Sequence, residues 1–257
     1  MHWDDGGQLK IETAPYSVLA LIYDQVMSHV DYALWARYIE QLLNKYCPKA
    51  RQIIDLSCGT GTCCGHLCRL GFQVVGMDAS LAMIKRAREK YRGTKINSVF
   101  FCGNILFPPF KNSQVMISLY DSMNYLMTEI HWRTCLANIH RALAENGLFI
   151  FDVSTLYNSR RYFRNYEEVR SFKGGSYRRI SRFSEEDCVQ MNDFEIRIEG
   201  RRETFIERHR QMIRPLGEIK KWVLESGFQL MAAYRDFTFV NAGERCERVH
   251  FVLRRRS

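Results

Sequence analysis

Between positions 55 and 62 the chain reads Asp55-Leu56-Ser57-Cys58-Gly59-Thr60-Gly61-Thr62, a carboxylate followed by a turn carrying two glycines. Glycine lets the backbone pass close to a ligand, and a helix that starts after such a turn offers unpaired N–H donors. Asp78 ends the next apolar run, 23 residues after Asp55. A carboxylate at that point can accept both hydroxyls of a ribose. A strand-borne acid, a glycine turn and a second acid at a strand end together describe a nucleoside site.

The kind of nucleoside follows from what is missing. A dinucleotide site wants a third small residue at a fixed offset after Gly-x-Gly. That position holds Cys64, and Gly65 comes one residue late. Asp55 would also face two negative phosphates there. The same carboxylate is favourable beside a cation with an amino group, which fits S-adenosylmethionine with its sulfonium and α-ammonium.

Other residues could act around such a site. Tyr16, Tyr23, Tyr32 and Trp35 suit the core of an amphipathic helix, or a lid whose rings enclose a cation and exclude water. Glu207, His209 and Gln211 share one face of a strand. If that strand roofs the site they contact the substrate, and His209 can take a proton. Arg178 and Arg182 could bind a carboxylate or phosphate. Tyr120, Asp121 and His209 are the candidate bases. Cys58, Cys63, Cys64, His66 and Cys68 contain no Cys-x-x-Cys and no downstream pair at zinc spacing, so no metal is expected.

The elements that must position these residues can be read from pattern. Apolar runs at 53–56, 73–78, 99–102, 115–120 and 148–153 suit strands buried on both faces of a parallel sheet. Helices separate them: Ser80 is placed to cap one through about Tyr91, and Thr128 another that ends at Gly147. Alternation of this kind predicts a doubly wound α/β sheet, with ligands at the carboxyl ends of its strands. Helical spacing covers Tyr16 to Tyr46. From Tyr177 to Ile213 the period becomes two, which predicts a β-hairpin outside the main sheet. A helix from Pro215 to Gly227 and strands near 228–239 and 246–253 complete the chain.

Composition narrows the setting. With 257 residues, 46% hydrophobic and 25% charged, the chain is ordinary globular protein and not a disordered one. The uncharged stretch from Ile96 to Phe110 is broken by Asn97, Gly103, Asn104, Pro108 and Pro109, so no membrane span is expected. The acidic start Met1-His2-Trp3-Asp4-Asp5 carries no leader pattern, which with nine cysteines predicts a reduced, cytoplasmic protein. Of the net charge of +9, +7 lies after residue 159, which permits an anionic acceptor, a metabolite or RNA.

Asp55-Leu56-Ser57-Cys58-Gly59-Thr60-Gly61, Val74-Val75-Gly76-Met77-Asp78, Gly103-Asn104-Ile105 and Leu143 to Phe151 resemble successive motifs of class I S-adenosylmethionine-dependent methyltransferases, over about residues 16–155. Tyr23-Asp24, Tyr32, Trp35, Asp121-Ser122-x-Asn124-Tyr125 and Glu207-x-His209-x-Gln211 resemble small bacterial-type members of uncertain substrate. The resemblance implies a seven-stranded, mostly parallel Rossmann-like sheet. It also implies a helical lid over 1–47, a core over 48–155 and 215–257, and an antiparallel substrate-side extension over 156–214. It places Asp55, Ser57, Cys58, Gly59 and Gly61 around the methionine part, and Asp78 on the ribose. Ala79, Met83 and Ile105 fall beside the adenine, Asn104 accepts from its amine, and Tyr120 and Asp121 face the methyl group. Tyr23 and Trp35 join the cofactor site, and Tyr32, Asn124, Arg178, Glu207, His209 and Gln211 the substrate side. The family departs here in Ser57, where a glycine is usual, and Asn104, where an aspartate is more common. The implied activity is methyl transfer to nitrogen or oxygen of a small molecule, for which the charge permits an anion. RNA methylation and non-catalytic binding of S-adenosylmethionine are the alternatives; oligomeric state is not legible.

Overall fold

The computed structural model describes residues 2–3, 9–96 and 98–256. Met1, Asp4 and Asp5 of the acidic start and Asn97 of the uncharged stretch lie outside the described residues. The chain opens with β1 (His2–Trp3), β2 (Leu9–Thr13), a 3-10 turn (Leu19–Leu21), α1 (Tyr23–Val26) and α2 (Tyr32–Tyr46). It continues through β3 (Gln52–Asp55), α3 (Thr62–Arg69), β4 (Gln73–Asp78), α4 (Leu81–Tyr91), β5 (Val99–Cys102) and β6 (Ser113–Ser118). A second 3-10 turn (Ser122–Tyr125), α5 (Glu129–Ala142), β7 (Leu143–Ser154) and α6 (Leu156–Tyr162) follow. Last come β8 (Asn165–Phe172), β9 (Gly175–Ser184), β10 (Val189–Ile198), β11 (Thr204–Met212), α7 (Leu216–Glu225), β12 (Phe228–Arg235) and β13 (Arg248–Arg255).

Among the described residues the main sheet has seven strands in the order β12-β13-β7-β6-β3-β4-β5. The strands from β7 to β5 are parallel; β13 alone runs against them, antiparallel to β7 on one side and to the edge strand β12 on the other. The expected mostly parallel α/β sheet is the fold. Its strands read as unbroken apolar runs because both faces are covered. Ile53, Val115, Ile117 and Ile150 pack with the α2, α3 and α4 side. Their neighbours Ile54, Met116, Phe149 and Phe151 pack with α5 and α7, where Trp132 and Trp222 meet at 5.7 Å. Ser80 and Thr128 cap their helices, accepting from Met83 N and His131 N at 3.2 Å, each worth about 1 kcal/mol. From β3 the chain first winds to β4 and β5, then returns to the other side at β6 and β7. The crevice at the carboxyl ends of β3 and β6 is therefore the topological switch point, where such sheets bind ligands.

Three local expectations change. Gly147 does not end a helix: α5 stops at Ala142, and Gly147 lies inside β7 opposite a register shift between Ser113 and Val115. A Cβ there would come within 2.9 Å of the Ser113 and Ala144 carbonyls, so the strand crossing requires glycine. The hairpin predicted over 177–213 is present as β10 and β11, with Phe194 opposite Glu207, and β9 and β8 extend it. The segment over 1–47 is not wholly helical either. Its β2 joins the same sheet, parallel to β11, with Ile11 beside Phe205. Leu19, Ile22 and Val26 then share an apolar cluster with Tyr177, Phe194, Ile196 and Phe205. Burying each such side chain contributes roughly 1.5–3 kcal/mol, so the N-terminal segment and the antiparallel sheet hold each other. No helix among the described residues is long and apolar enough to cross a membrane.

Candidate active site

The glycine turn is fixed by hydrogen bonds to the next strand. Cys58 N donates to Met77 O at 2.9 Å and Gly59 N donates to Asp78 Oδ2 at 2.8 Å. Asp78 Oδ1 accepts from Ser80 N at 2.8 Å, so one carboxylate ties the turn to the start of α4. A carboxylate has about four acceptor positions, which leaves capacity for two hydroxyls. Gly59 has φ +54°, a left-handed conformation that side-chain-bearing residues adopt at a cost. Asp55 is 2% exposed, and its Oδ1 accepts from Ser57 N at 3.1 Å. Burial pushes its carboxyl up to about 7, against the opposing pull of the Ser57 N–H and the Cys64 thiol. Burial likewise raises Asp78, opposed by the Ser80 and Gly59 amides.

A cavity of about 330 Å³ opens over this turn. The structure brings twelve of the sequence-predicted residues to its wall: Tyr23, Tyr32, Asp55, Ser57, Cys58, Gly59, Asp78, Ala79, Met83, Asn104, Ile105 and Tyr120. Asn104 Oδ1 already accepts from Leu106 N at 2.9 Å, so its amide N–H groups are as available to a ligand as its carbonyl. Ser57 Oγ lies 3.0 Å from Ser118 Oγ, which gives the side chain in place of glycine a polar partner. Tyr16, Thr60, Ser80, Ser122 and Tyr125 also line the wall. Ser80 stands two residues from Asp78 as a helix cap, so its position was legible; the approach of Ser122 and Tyr125 depends on the turn after β6.

The N-terminal segment is pinned at three places. Asp24 accepts from Thr60 Oγ1 at 2.6 Å and pairs with Lys90 Nζ at 2.8 Å. Ser80 Oγ donates to Tyr16 O at 2.8 Å. Glu207, fully buried, accepts from the backbone N–H groups of Tyr16 and Val18 at 2.6 Å and Leu19 at 2.9 Å. These contacts place Tyr16, Tyr23 and Tyr32 against the cavity, and burial raises all three hydroxyls.

At the end of β6 two successive residues, Tyr120 (φ +61°) and Asp121 (φ +52°), are left-handed without being glycine. Such strain costs of order 1–3 kcal/mol per residue and persists only where the surroundings over-determine it. Here Asp152, fully buried, accepts from Tyr120 N at 2.6 Å and Asp121 N at 2.8 Å. Arg248 pairs with Asp152 and, at 2.8 Å, with Asp121 Oδ1, and its guanidinium lies over the rings of Trp35 and Tyr120. Asp152 and Arg248 were not singled out in the sequence, where 96 residues separate them. Burial raises the Tyr120 hydroxyl to about 12.

The remaining predicted residues lie off the cavity wall, each for a physical reason. Asp121 spends one oxygen on Arg248 and the other on Gln211 Nε2 at 2.5 Å, so neither Asp121 nor Gln211 presents a free group. Trp35 is a core residue of α2, with its ring 4.9 Å from Phe237 and 5.4 Å from Tyr120. Gly61 caps α3 and faces Phe100, 2.8 Å from where a Cβ would stand. Asn124 is fully buried and clamps Ser154 N and the Met212 carbonyl. Arg178 pairs with Glu167 at 2.8 Å on the exposed face of the extension, and Arg182 is exposed. His209 is 2% exposed and sits behind Tyr125. Cys58 and Cys63 line the wall, and Cys64 packs beneath it with its thiol 3.5 Å from Asp55 Oδ2.

Comparison with known proteins agrees with this geometry. A methyltransferase-domain family model matches residues 53–147. A candidate methyltransferase of Geobacillus sp. (strain WCH70) is 30% identical over 248 residues, spanning 93% of this chain and 99% of that one. Among solved structures, an S-adenosylmethionine-dependent methyltransferase from Clostridium acetobutylicum superposes with a TM-score of 0.80 at 20% identity, covering 94% of this chain and 99% of that one. The sugar N-methyltransferase KedS8 from Streptoalloteichus superposes with a TM-score of 0.73 at 19% identity, covering 91% and 93%.

Proposed function

Because the chain belongs to the class I S-adenosylmethionine-dependent methyltransferases, we propose that its acceptor is the nitrogen of a small amine. One observation carries this: the described cavity wall holds two carboxylates and five tyrosines, and no lysine, arginine or histidine. The two acids serve the cofactor's ammonium and ribose, so the acceptor side is left to the tyrosines, whose negative ring faces favour a cation. The wall gives an anionic acceptor no cationic partner. The positive charge after residue 159 is largely spent outside the cavity, in pairs such as Arg160 with Glu185, Arg178 with Glu167 and Arg210 with Asp193. The sugar N-methyltransferase named above shares the fold, which is compatible with an amine acceptor.

The wall fits the cofactor by its donor set. Asp55 supplies a buried carboxylate for an ammonium, and Asp78 retains acceptor positions for ribose hydroxyls. Asn104 offers amide groups to the adenine edge, with Met83 and Ile105 against the ring, while Ser57, Cys58 and Gly59 would border the methionine part. When bound, S-adenosylmethionine supplies a methyl group already activated on a cationic sulfur. The protein's share of catalysis is therefore alignment and exclusion of water. Tyr120, held by Asp152 through its own backbone N–H, fixes one wall of the acceptor side; Tyr16, Tyr23 and Tyr32 close the other. Methyl-tritiated S-adenosylmethionine, offered with matched panels of small amines, alcohols and carboxylates and with transfer RNA, tests the reading. Label is expected in the amines. Label in RNA, or in alcohols or carboxylates with none in amines, would overturn it.

A further inference from the structure

Behind the tyrosine wall lies a continuous chain of hydrogen bonds that ends on a buried carboxylate. Tyr16 Oη is 2.7 Å from Tyr125 Oη, Tyr125 Oη is 3.0 Å from His209 Nδ1, and His209 Nε2 is 3.3 Å from Glu207 Oε2. Both tyrosines line the cavity, whereas His209 and Glu207 are 2% and 0% exposed. One direction satisfies every member: Tyr16 donates to Tyr125, Tyr125 donates to Nδ1, and Nε2–H donates to Glu207. Glu207 cannot turn away, because it also holds the amides of Tyr16, Val18 and Leu19. The imidazole is further fixed by the rings of Tyr16 at 4.6 Å and Phe194 at 5.3 Å.

The geometry points to a proton exit for methyl transfer, in which Tyr16 and Tyr125 carry the acceptor's proton from the cavity to His209, and Glu207 holds the resulting imidazolium. This rests on the amine reading above and adds to it where the proton goes. The balance is closed. The nitrogen–methyl bond forms as the sulfur–methyl bond breaks, with its electron pair left on sulfur. The proton of the new ammonium passes to the Tyr16 oxygen as the Tyr16 proton passes to Tyr125 and the Tyr125 proton to Nδ1. A base oriented by a third group is the usual logic of such relays. A buried carboxylate beside the ring makes the charged imidazole tolerable where it would otherwise be costly. Tyr16 and Tyr125 are the catalytic residues of this scheme; His209 and Glu207 act through them. The other charged groups facing the chain are Asp78 and Asp121 towards Tyr16, Asp121 and Arg179 towards Tyr125, and Arg210, whose guanidinium bonds the His209 carbonyl at 2.9 Å.

Two measurements test it on the full-length chain. First, nitrogen NMR of histidine-labelled protein saturated with S-adenosylhomocysteine should show His209 Nδ1 bare and Nε2 protonated near neutral pH. In Tyr125→Phe, which keeps the ring, that preference should weaken. Second, tritium transfer to the amine acceptor should fall by about a hundredfold in Tyr125→Phe and in Tyr16→Phe, the lower end of what general acid–base groups contribute. S-adenosylhomocysteine affinity should stay within about threefold of the parent, and the rise of rate with pH should be lost. A protonated Nδ1 in the parent protein, or parental rate and pH profile in Tyr125→Phe, would overturn the relay. Transfer to no amine, with the tautomer as expected, would overturn the choice of acceptor and leave the hydrogen-bond chain standing.

Discussion

Arg248 Nη2 lies 2.8 Å from Asp121 Oδ1, joining the last strand of the sheet to the loop after β6 across 127 positions of sequence. The same guanidinium pairs with Asp152, which holds the Tyr120 and Asp121 amides in their left-handed turn. A strained loop at the cavity is thus secured by an ion triad from three strand ends. The wall residue Tyr120 owes its place to residues that never touch the cavity.

Arg248→Met should leave Asp121 and Asp152 buried without their partner. Breaking a buried pair from one side costs about 3–5 kcal/mol. Chemical denaturation should show a loss of that size, and adding Asp152→Asn to Arg248→Met should recover part of it. A loss below about 1 kcal/mol, as for an exposed ion pair, would show that the loop holds itself.

Asp55 should make cofactor binding depend on pH. Its carboxyl, pushed up to about 7 by burial, is largely protonated below neutrality in the free protein. A ligand ammonium favours the carboxylate, so affinity for S-adenosylmethionine should rise as pH is raised from about 5 to 7, with a proton released on binding. The sign for stability is opposite. A folded value above the unfolded one stabilises the free protein fully below about pH 4, and that contribution is lost as pH rises through 7. Calorimetry in buffers of different ionisation heats checks the proton release, and none at pH 6.5 would refute it.

His250 should make the fold sensitive to acid. It is fully buried among Trp35, Tyr38 and Phe237, and burial together with Arg248 lowers it to about 3, against a weaker opposing pull from the Asp236 backbone. A depressed folded value gives stability that is present above about pH 6.5 and lost as pH falls towards 3. Integrated over that window the contribution is on the order of 3–5 kcal/mol. His250→Phe should flatten the decline of unfolding free energy between about pH 6.5 and 4; an unchanged slope would assign the sensitivity elsewhere.

What could be read from sequence was local. The glycine turn, Asp78 and the caps at Ser80 and Thr128 are short patterns whose chemistry sits within a few residues, and each lies where the pattern put it. The buried strands were legible because both faces are apolar. β8 was not, since only Tyr166, Val169 and Phe172 of its eight residues carry largely apolar side chains, in no two-residue period, and six of the eight are exposed. β2 escaped because its partner β11 lies about 190 positions away. The same distance effect hid Arg248 and Asp152, and it turned Glu207, His209 and Gln211 from substrate contacts into supports. A two-residue period shows that three side chains share a face, but not that Tyr125 stands before His209, Asp121 before Gln211 and the Tyr16 and Val18 amides before Glu207.

Calorimetric titration of S-adenosylmethionine into the parent protein and Asp78→Ala tests most directly whether Asp55 and Asp78 flank the cofactor site. The parent should bind one equivalent, and the variant should bind at least tenfold more weakly, about 1.4 kcal/mol, while still unfolding cooperatively. Asp78→Asn, which keeps an acceptor for one of the two backbone amides, should fall between them. Equal affinity in the parent and a folded Asp78→Ala would contradict the site.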